Sequence, residues 1–174
     1  GTFTGLRKLM MRWIRHPFAV TRAVEIEWRA QMERLLGTGL RLSHADSHQH
    51  LHAFPPAWNC ALKLCREYGV ASLRLPLERN RLPMRRAGVW GLGASLAVST
   101  RIVSGKSLHH NNHFLGFKRA GAYGLKELID DLRELPPGLT ELALHPSTED
   151  ETPYRNLFGN RERLALLDES LPQQ

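Results

Sequence analysis

The feature that most constrains this chain is a histidine-rich run at residues 44–52, which directly follows an apolar stretch. Four of the nine histidines and one aspartate lie in this run, and all five occupy even positions. If the segment is a strand, alternate side chains point to the same face. On one face of that strand, the first side chains are apolar and the later ones are ionisable. Its members are Leu40, Leu42, His44, Asp46 and His48.

This stripe combines the two side-chain types that most often bind metals or move protons. Imidazole and carboxylate groups are common ligands of zinc and other first-row metals, and they are common general acids and bases. A buried face cannot hold so many ionisable groups without a metal or a partner. We therefore predict a functional site at the end of this strand. The alternative is a solvated histidine-rich loop, and the preceding apolar strand argues against it.

Helical and strand patterns alternate along the chain. The predicted helices are residues 18–36, 55–68, 85–103, 124–135 and 161–171. The predicted strands are residues 40–48, 71–75 and 139–145, and the predicted loops are 105–123 and 147–160. Strands separated by helices favour a parallel α/β sheet. In barrels of this kind, functional residues lie at the carboxyl ends of the strands, which brings His48, Arg74 and His145 to one predicted cavity.

Length and composition predict one domain, residues 1–174, in a cytoplasmic protein. No apolar stretch reaches the roughly 20 residues of a membrane-spanning helix, and no secretory signal is recognisable. The net charge of +7 is dispersed without a nucleic-acid-binding motif, so no nucleic-acid partner is predicted. Cys60 and Cys65 are five residues apart in one predicted helix, and we expect both to be reduced.

The first segment combines arginines with an apolar stripe at helical spacing. This pattern suits either peripheral contact with anionic lipid or packing against a neighbouring helix. The stripe consists of Leu6, Leu9, Met10, Trp13 and Ile14.

The run from Asp46 to His52, followed by Phe54-Pro55, resembles the signature of the YdjC-like carbohydrate deacetylases. That family includes chitooligosaccharide deacetylases and a hopanoid-biosynthesis branch. The likeness extends from about residue 22 to residue 170. It is carried further by Glu27, Ala30 and Gln31 and by residues 67–70, 73–76, 113–116 and 141–146.

The resemblance implies an incomplete (β/α) barrel-like parallel sheet and a metal-dependent hydrolase of acetylated amino sugars. The implied cofactor is a divalent ion, Mg²⁺ or Zn²⁺. His48 is the expected metal ligand, with His50 and His52 as competing assignments. The substrate is expected to be a small or lipid-linked acetylated amino sugar, and homodimerisation stays open.

The resemblance also implies roles for four further side chains, each with a structural alternative. His145 is a candidate general acid, or it caps the following loop. Asp46 orients a histidine, contacts substrate, or makes a structural hydrogen bond. Arg74 holds a hydroxyl or the acetyl oxygen, or forms a salt bridge inside the sheet. His113 closes over a sugar together with the nearby loop residues His109 and His110, or it is merely solvated.

Trp58 and Trp90 are the aromatic candidates for stacking on a sugar ring, although tryptophan at helical spacing is more often core.

Two motifs of the family have no counterpart in this chain. Family members begin with a strand carrying Asn-Ala-Asp-Asp-Phe-Gly, and a later strand carries a Gly-x-His-Leu-Asn-Leu type motif. We therefore expect this chain to correspond to the C-terminal two-thirds of a deacetylase domain, to bind metal weakly and to deacetylate poorly. The alternatives are another metal-dependent amidohydrolase and a non-catalytic fragment.

Overall fold

The computed structural model of the chain describes residues 5–78, 108–116, 119, 121–148 and 159–171. The chain divides into two compact units. The first comprises Gly1–Leu75 and Arg85–His110, and the second comprises Pro76–Met84 and Asn111–Gln174. The helix predicted at 85–103 lies outside the described residues, as does Trp90. The prediction that 1–174 forms one domain stays a prediction.

Three α-helices lie in the described part of the first unit. They are α1 (Leu6–Arg15), α2 (Pro17–Leu36) and α3 (Pro55–Glu67). Both α2 and α3 begin with proline, whose fixed φ suits the first helical position. Gly69 follows α3 with a φ of 67°, the left-handed conformation that commonly ends a helix. The helices predicted at 18–36 and 55–68 are therefore confirmed.

The core of these helices absorbs only part of the apolar stripe predicted in the first segment. Trp13 is buried against Val20, Val24 and Ala57, with Leu9 and Met10 packed around them. Ile14, by contrast, is 78% exposed. Contact of this surface with lipid stays a prediction. Among the described helices, none combines the length and apolar character needed to cross a membrane.

The sheet of the first unit is parallel, as predicted, but its first strand is much shorter than expected. Strand β1 (His44–Ala45) pairs with β2 (Ser72–Leu73), with His44 opposite Ser72. The predicted strand 40–48 is wrong in extent, because the chain turns into a 3₁₀ helix over His48–Ala53. The Ser47 hydroxyl accepts the backbone N–H of His52 at 2.9 Å, which offers the backbone a local alternative to the sheet.

The second unit pairs another two parallel strands. Strand β3 (His113–Leu115) lies beside β4 (Thr140–Leu142), with His113 opposite Thr140. The loop predicted at 105–123 is therefore wrong at 113–115. A further correction concerns His109, which forms a parallel bridge with Ser72 in the first unit.

Close backbone approach explains the strand that the sequence pattern concealed. The backbone of Gly116 has a φ of 107°, and a Cβ there would lie 2.1 Å from the carbonyl oxygen of Ala143. Only glycine permits this contact at the end of β3. The N–H of Ala143 donates to Leu115 at 2.9 Å and extends the pairing beyond β4.

Two helices complete the described part of the second unit. They are α4 (Leu125–Arg133) and α5 (Gly159–Leu166). The helix predicted at 124–135 is confirmed, whereas the final helix begins and ends earlier than the predicted 161–171. Tyr123, Leu128 and Ala165 form a buried cluster between them. The molecule is thus a mixed α/β protein with short parallel sheets.

Candidate active site

The histidine-rich run folds into a tight turn after β1. Gln49 and His50 adopt left-handed backbone conformations, with φ values of 52° and 54°. Such conformations are uncommon for residues other than glycine. Within the turn, the N–H of His50 donates to the carbonyl of Ser47 at 3.0 Å. His48 lies on the exposed side of the turn, whereas His52 is only 1% exposed.

His52 is held at both ring nitrogens by protein atoms. Its Nδ1 lies 2.7 Å from the Ser47 hydroxyl, and its Nε2 lies 2.9 Å from the carbonyl oxygen of Arg74. The ring also stacks on Trp58, with ring centroids 6.1 Å apart. Burial lowers the pKa of His52 to about 4, although the hydrogen bond to Arg74 acts in the opposite direction.

Asp46 and Arg74 meet at the carboxyl ends of β1 and β2. The Arg74 Nη1 lies 2.5 Å from the Asp46 Oδ2. Arg74 also donates its backbone N–H to the carbonyl of Ala45 at 3.0 Å. The predicted meeting of these two strand ends is therefore present, and the ion pair offered as a structural alternative for Arg74 exists. Both side chains keep solvent contact, since Arg74 is 18% exposed and Asp46 is 42% exposed.

The three histidines predicted as metal ligands differ in how well their positions suit metal binding. The His50 and His52 rings lie edge to face, with centroids 6.4 Å apart. His52 would have to leave two protein partners to bind an ion, so its contacts fit a ligand role less well than the exposed position of His48. In the described ranges, no group of three His, Cys, Asp or Glu side chains could hold a metal ion. These residues therefore do not form a complete metal centre by themselves.

His145 lies in the second unit, after β4. Its side chain is exposed, and its backbone N–H donates to the Glu162 Oε2 at 2.5 Å. Glu162 is fully buried, and its other carboxylate oxygen has no hydrogen-bond partner among the residues that the structure describes. The predicted cavity shared by His48, Arg74 and His145 stays a prediction, because these residues belong to different units.

His113 and its neighbours do not form the predicted loop. His113 is the first residue of β3, and its Nε2 lies 3.2 Å from the carbonyl oxygen of Pro137. His109 donates its backbone N–H to Ala71 and accepts that of Leu73. These contacts place His109 at a sheet edge, and the predicted contact of His113 with sugar stays a prediction.

Sequence reasoning missed two residues that hold the candidate groups in place. Ser47 was read only as part of the motif, although a hydroxyl between Asp46 and His48 is a natural competitor for backbone hydrogen bonds. Glu162 gave no signal, since a glutamate in a helix is usually solvated. Trp58 is 1% exposed, which assigns it to the core.

Both cysteines are free and buried, as predicted. Burial raises the pKa of the Cys65 thiol to about 11, and burial also raises that of Cys60. Neither thiol is suited to act as a nucleophile at neutral pH.

The described residues form a mixed α/β protein with carboxylate and guanidinium groups at the ends of parallel strands and imidazole groups in the turn that follows. A family model described as "YdjC-like protein" matches residues 1–174, and the chain belongs to the YdjC-like family. This confirms the resemblance drawn from the motif at Asp46–His52.

Several similar proteins carry the name "Carbohydrate deacetylase". The one from Brevibacillus brevis is 30% identical over 133 residues, which cover 76% of this chain and 46% of that protein. The one from Vibrio cholerae is 29% identical over 152 residues, covering 86% of this chain and 49% of that protein. A shorter match, to Oceanobacillus iheyensis, is 51% identical over 47 residues, covering 27% of this chain and 20% of that protein.

The chain therefore spans about half the length of the Brevibacillus and Vibrio relatives that it matches. No solved structure gives a significant match.

Proposed function

We propose that residues 1–174 form part of a carbohydrate deacetylase that hydrolyses the acetamide of an N-acetylated amino sugar. The observation that carries this proposal is the Asp46–Arg74 pair at the ends of β1 and β2, with the exposed His48 two residues after Asp46 in the chain. Family membership and the names of the relatives support the same reaction class. The substrate is a soluble or lipid-linked acetylated amino sugar.

Amide hydrolysis needs a polarised carbonyl, an activated water and a proton for the leaving amine. When bound, a divalent ion such as Mg²⁺ or Zn²⁺ would polarise the acetyl carbonyl and acidify a water. Of the described residues, His48 is the proposed ligand, with His50 as the second choice. The remaining ligands would come from beyond the described residues, because no three-ligand group exists among them.

The chain's own residues then bind and orient the sugar. The guanidinium of Arg74, which pairs with Asp46, is the proposed donor to a sugar hydroxyl or to the acetyl oxygen. Asp46 has a second carboxylate oxygen that can accept from a sugar hydroxyl. His145 is the proposed proton donor.

The test compares chain 1–174 with a version extended by the N-terminal segment of the Brevibacillus relative. Bound Zn²⁺ and Mg²⁺ are measured by calorimetry, and acetate release is measured on N-acetylglucosamine oligomers. We expect the extended protein to bind an ion and release acetate, and the short chain to do both weakly. His48→Ala should abolish both, whereas His44→Ala, at an exposed histidine four residues earlier, should leave both unchanged.

Two results would contradict this proposal. An extended protein that binds a divalent ion but releases no acetate from any acetylated amino sugar would remove the deacetylase assignment. A short chain that matched the extended one in both measurements would instead show that the ligands lie within it. They would then be sought among His50, His52, His113 and His145.

A further inference from the structure

We propose that His52 is a positioning residue that ties the turn after β1 to the end of β2 and thereby sets the places of Asp46, His48 and His50. The consequence for catalysis rests on the proposed deacetylase function, whereas the positioning itself does not. His52 is neither a metal ligand nor a group that contacts substrate in this assignment.

The hydrogen bonds of His52 form a closed path through the turn. The backbone N–H of His52 donates to the Ser47 Oγ at 2.9 Å, and the same hydroxyl lies 2.7 Å from the ring Nδ1. The opposite nitrogen, Nε2, faces the Arg74 carbonyl oxygen at 2.9 Å. Because a carbonyl oxygen only accepts hydrogen bonds, Nε2 must carry the proton. This leaves Nδ1 to accept from Ser47.

Arg74 is the fixed point to which the turn is tied. Its N–H donates to the carbonyl of Ala45, its carbonyl accepts from His52, and its side chain pairs with Asp46. These contacts come from strand β1, from the loop after it and from the far end of the turn. Arg74, the residue that follows β2, therefore contacts the end of β1, the residue after it and the last part of the turn.

The turn needs such support because of its backbone. Gln49 and His50 both occupy the left-handed region, which is sparsely populated by residues with side chains and persists where surrounding contacts impose it. His52, whose ring hydrogen-bonds to the carbonyl oxygen of Arg74, follows His50 by two residues. The stacked and buried position of the ring against Trp58 fixes its plane, so the nitrogens keep their directions.

Two amide variants of His52 are equally polar but differ in side-chain length, so they test whether the hydrogen bond to Arg74 requires a donor at the position of Nε2. The amide of His52→Gln extends about as far as Nε2 and can donate to Arg74, whereas the amide of His52→Asn reaches only the position of Nδ1. His44→Gln is the control, since its ring contacts only Ser43 in the described structure and lies outside the path. The probe is the set of ring resonances of His48 and His50 in chain 1–174, recorded by NMR together with the tautomer of His52.

We expect wild-type His52 as the Nε2-protonated tautomer. His52→Gln and His44→Gln should leave the His48 and His50 resonances near their wild-type positions, and His52→Asn should shift both. The proposal is also supported if the His52→Gln variant folds and the His52→Asn variant does not. If both variants unfold, Ser47→Ala decides, and it should shift the same resonances.

Other outcomes overturn the inference. They are an Nδ1-protonated wild-type ring, equal effects of the Gln and Asn variants in folded protein, and an unaltered spectrum in Ser47→Ala. In the extended protein, His52→Asn should lower kcat/KM at least tenfold and His52→Gln less than threefold. An extended protein without any activity would remove the proposed function, while the resonances would still decide the positioning role.

Discussion

At the scale of single residues, the polar contacts of the protein differ in how much solvent reaches them. The Asp46–Arg74 pair keeps solvent contact, whereas Tyr123 is fully buried and donates to Asp131 at 2.8 Å. Solvent screens the first contact more strongly than the second. We therefore expect the ion pair to contribute mainly to orientation, and the buried tyrosine to contribute mainly to stability.

Replacing Asp46 by asparagine should change stability little. Because more than a third of the Asp46 side chain is exposed, the pair should contribute less than about 1 kcal/mol to the free energy of unfolding. Urea denaturation of Asp46→Asn, Arg74→Gln and the double variant gives the coupling energy. A coupling above about 2 kcal/mol would show a desolvated pair instead.

Tyr123 should make the protein less stable at alkaline pH. Burial, followed by the hydrogen bond to Asp131, raises the pKa of Tyr123 above its ordinary value of 10.0. A raised folded-state pKa gives stability that is complete below about pH 10 and declines above it, by about 1 kcal/mol per pH unit. Unfolding at pH 9 and pH 11 measures this decline.

Tyr123→Phe should be less stable at pH 9 and should lose part of that pH dependence. Some dependence should remain, because the pKa of Tyr68 is also raised, chiefly by its hydrogen bond to Glu33. An unchanged pH profile in the Tyr123→Phe variant would contradict the assignment.

At the scale of elements, the short strands are fixed as much by backbone contacts as by side-chain pattern. Gly116 illustrates this, because a Cβ at this position would clash with the carbonyl oxygen of Ala143, the residue that follows β4. Gly39 offers a comparison, since it has a φ of 84° and no atom of the described residues lies within 4 Å of an added Cβ. The two glycines separate the effect of backbone conformation from the effect of crowding.

Gly116→Ala should destabilise the protein far more than Gly39→Ala. A side chain at positive φ costs about 1 kcal/mol in either place, and the clash with Ala143 should add at least about 2 kcal/mol. Thermal and urea denaturation of both variants measure the difference. Equal losses would show that the β3–β4 contact relaxes freely.

Periodicity predicted α2, α3 and α4 well and the strands poorly. Proline at 17 and 55 and glycine at 37 and 69 mark helix ends by their own chemistry, so α2 and α3 were predictable. The alternating positions of Asp46 and His48 predicted a site on a strand that reaches residue 48, whereas the strand ends at Ala45. The deciding contact, between the Ser47 hydroxyl and His52, depends on tertiary geometry and leaves no periodic signal.

At the scale of the molecule, each unit has its own buried cluster. Trp13, Val20, Val24 and Ala57 form one cluster, and Tyr123 forms another with Leu128 and Ala165. Composition predicted a core of ordinary size but not its division into two units. Cys60 and Cys65 are both buried in α3, so the reactivity of their thiols measures the opening of the first unit alone.

The two thiols should react only when the first unit opens. Burial disfavours both thiolates, most strongly that of Cys65, so modification by a disulfide reagent at pH 8 should be slow in native protein. Two thiols per chain should react rapidly in denaturant without a reductant. One or none reacting would indicate a disulfide or a blocked sulfur.

Positions 49 and 50 share a left-handed backbone, so a saturation mutagenesis library can distinguish selection for backbone conformation from selection for a particular side chain. At position 49 the constraint is conformational, so glycine and asparagine should be accepted and valine, isoleucine and threonine rejected. At position 50 the backbone makes the same demand, so glycine should again satisfy it. If glycine is tolerated at 49 but eliminated at 50, the selected property at 50 is the imidazole ring itself.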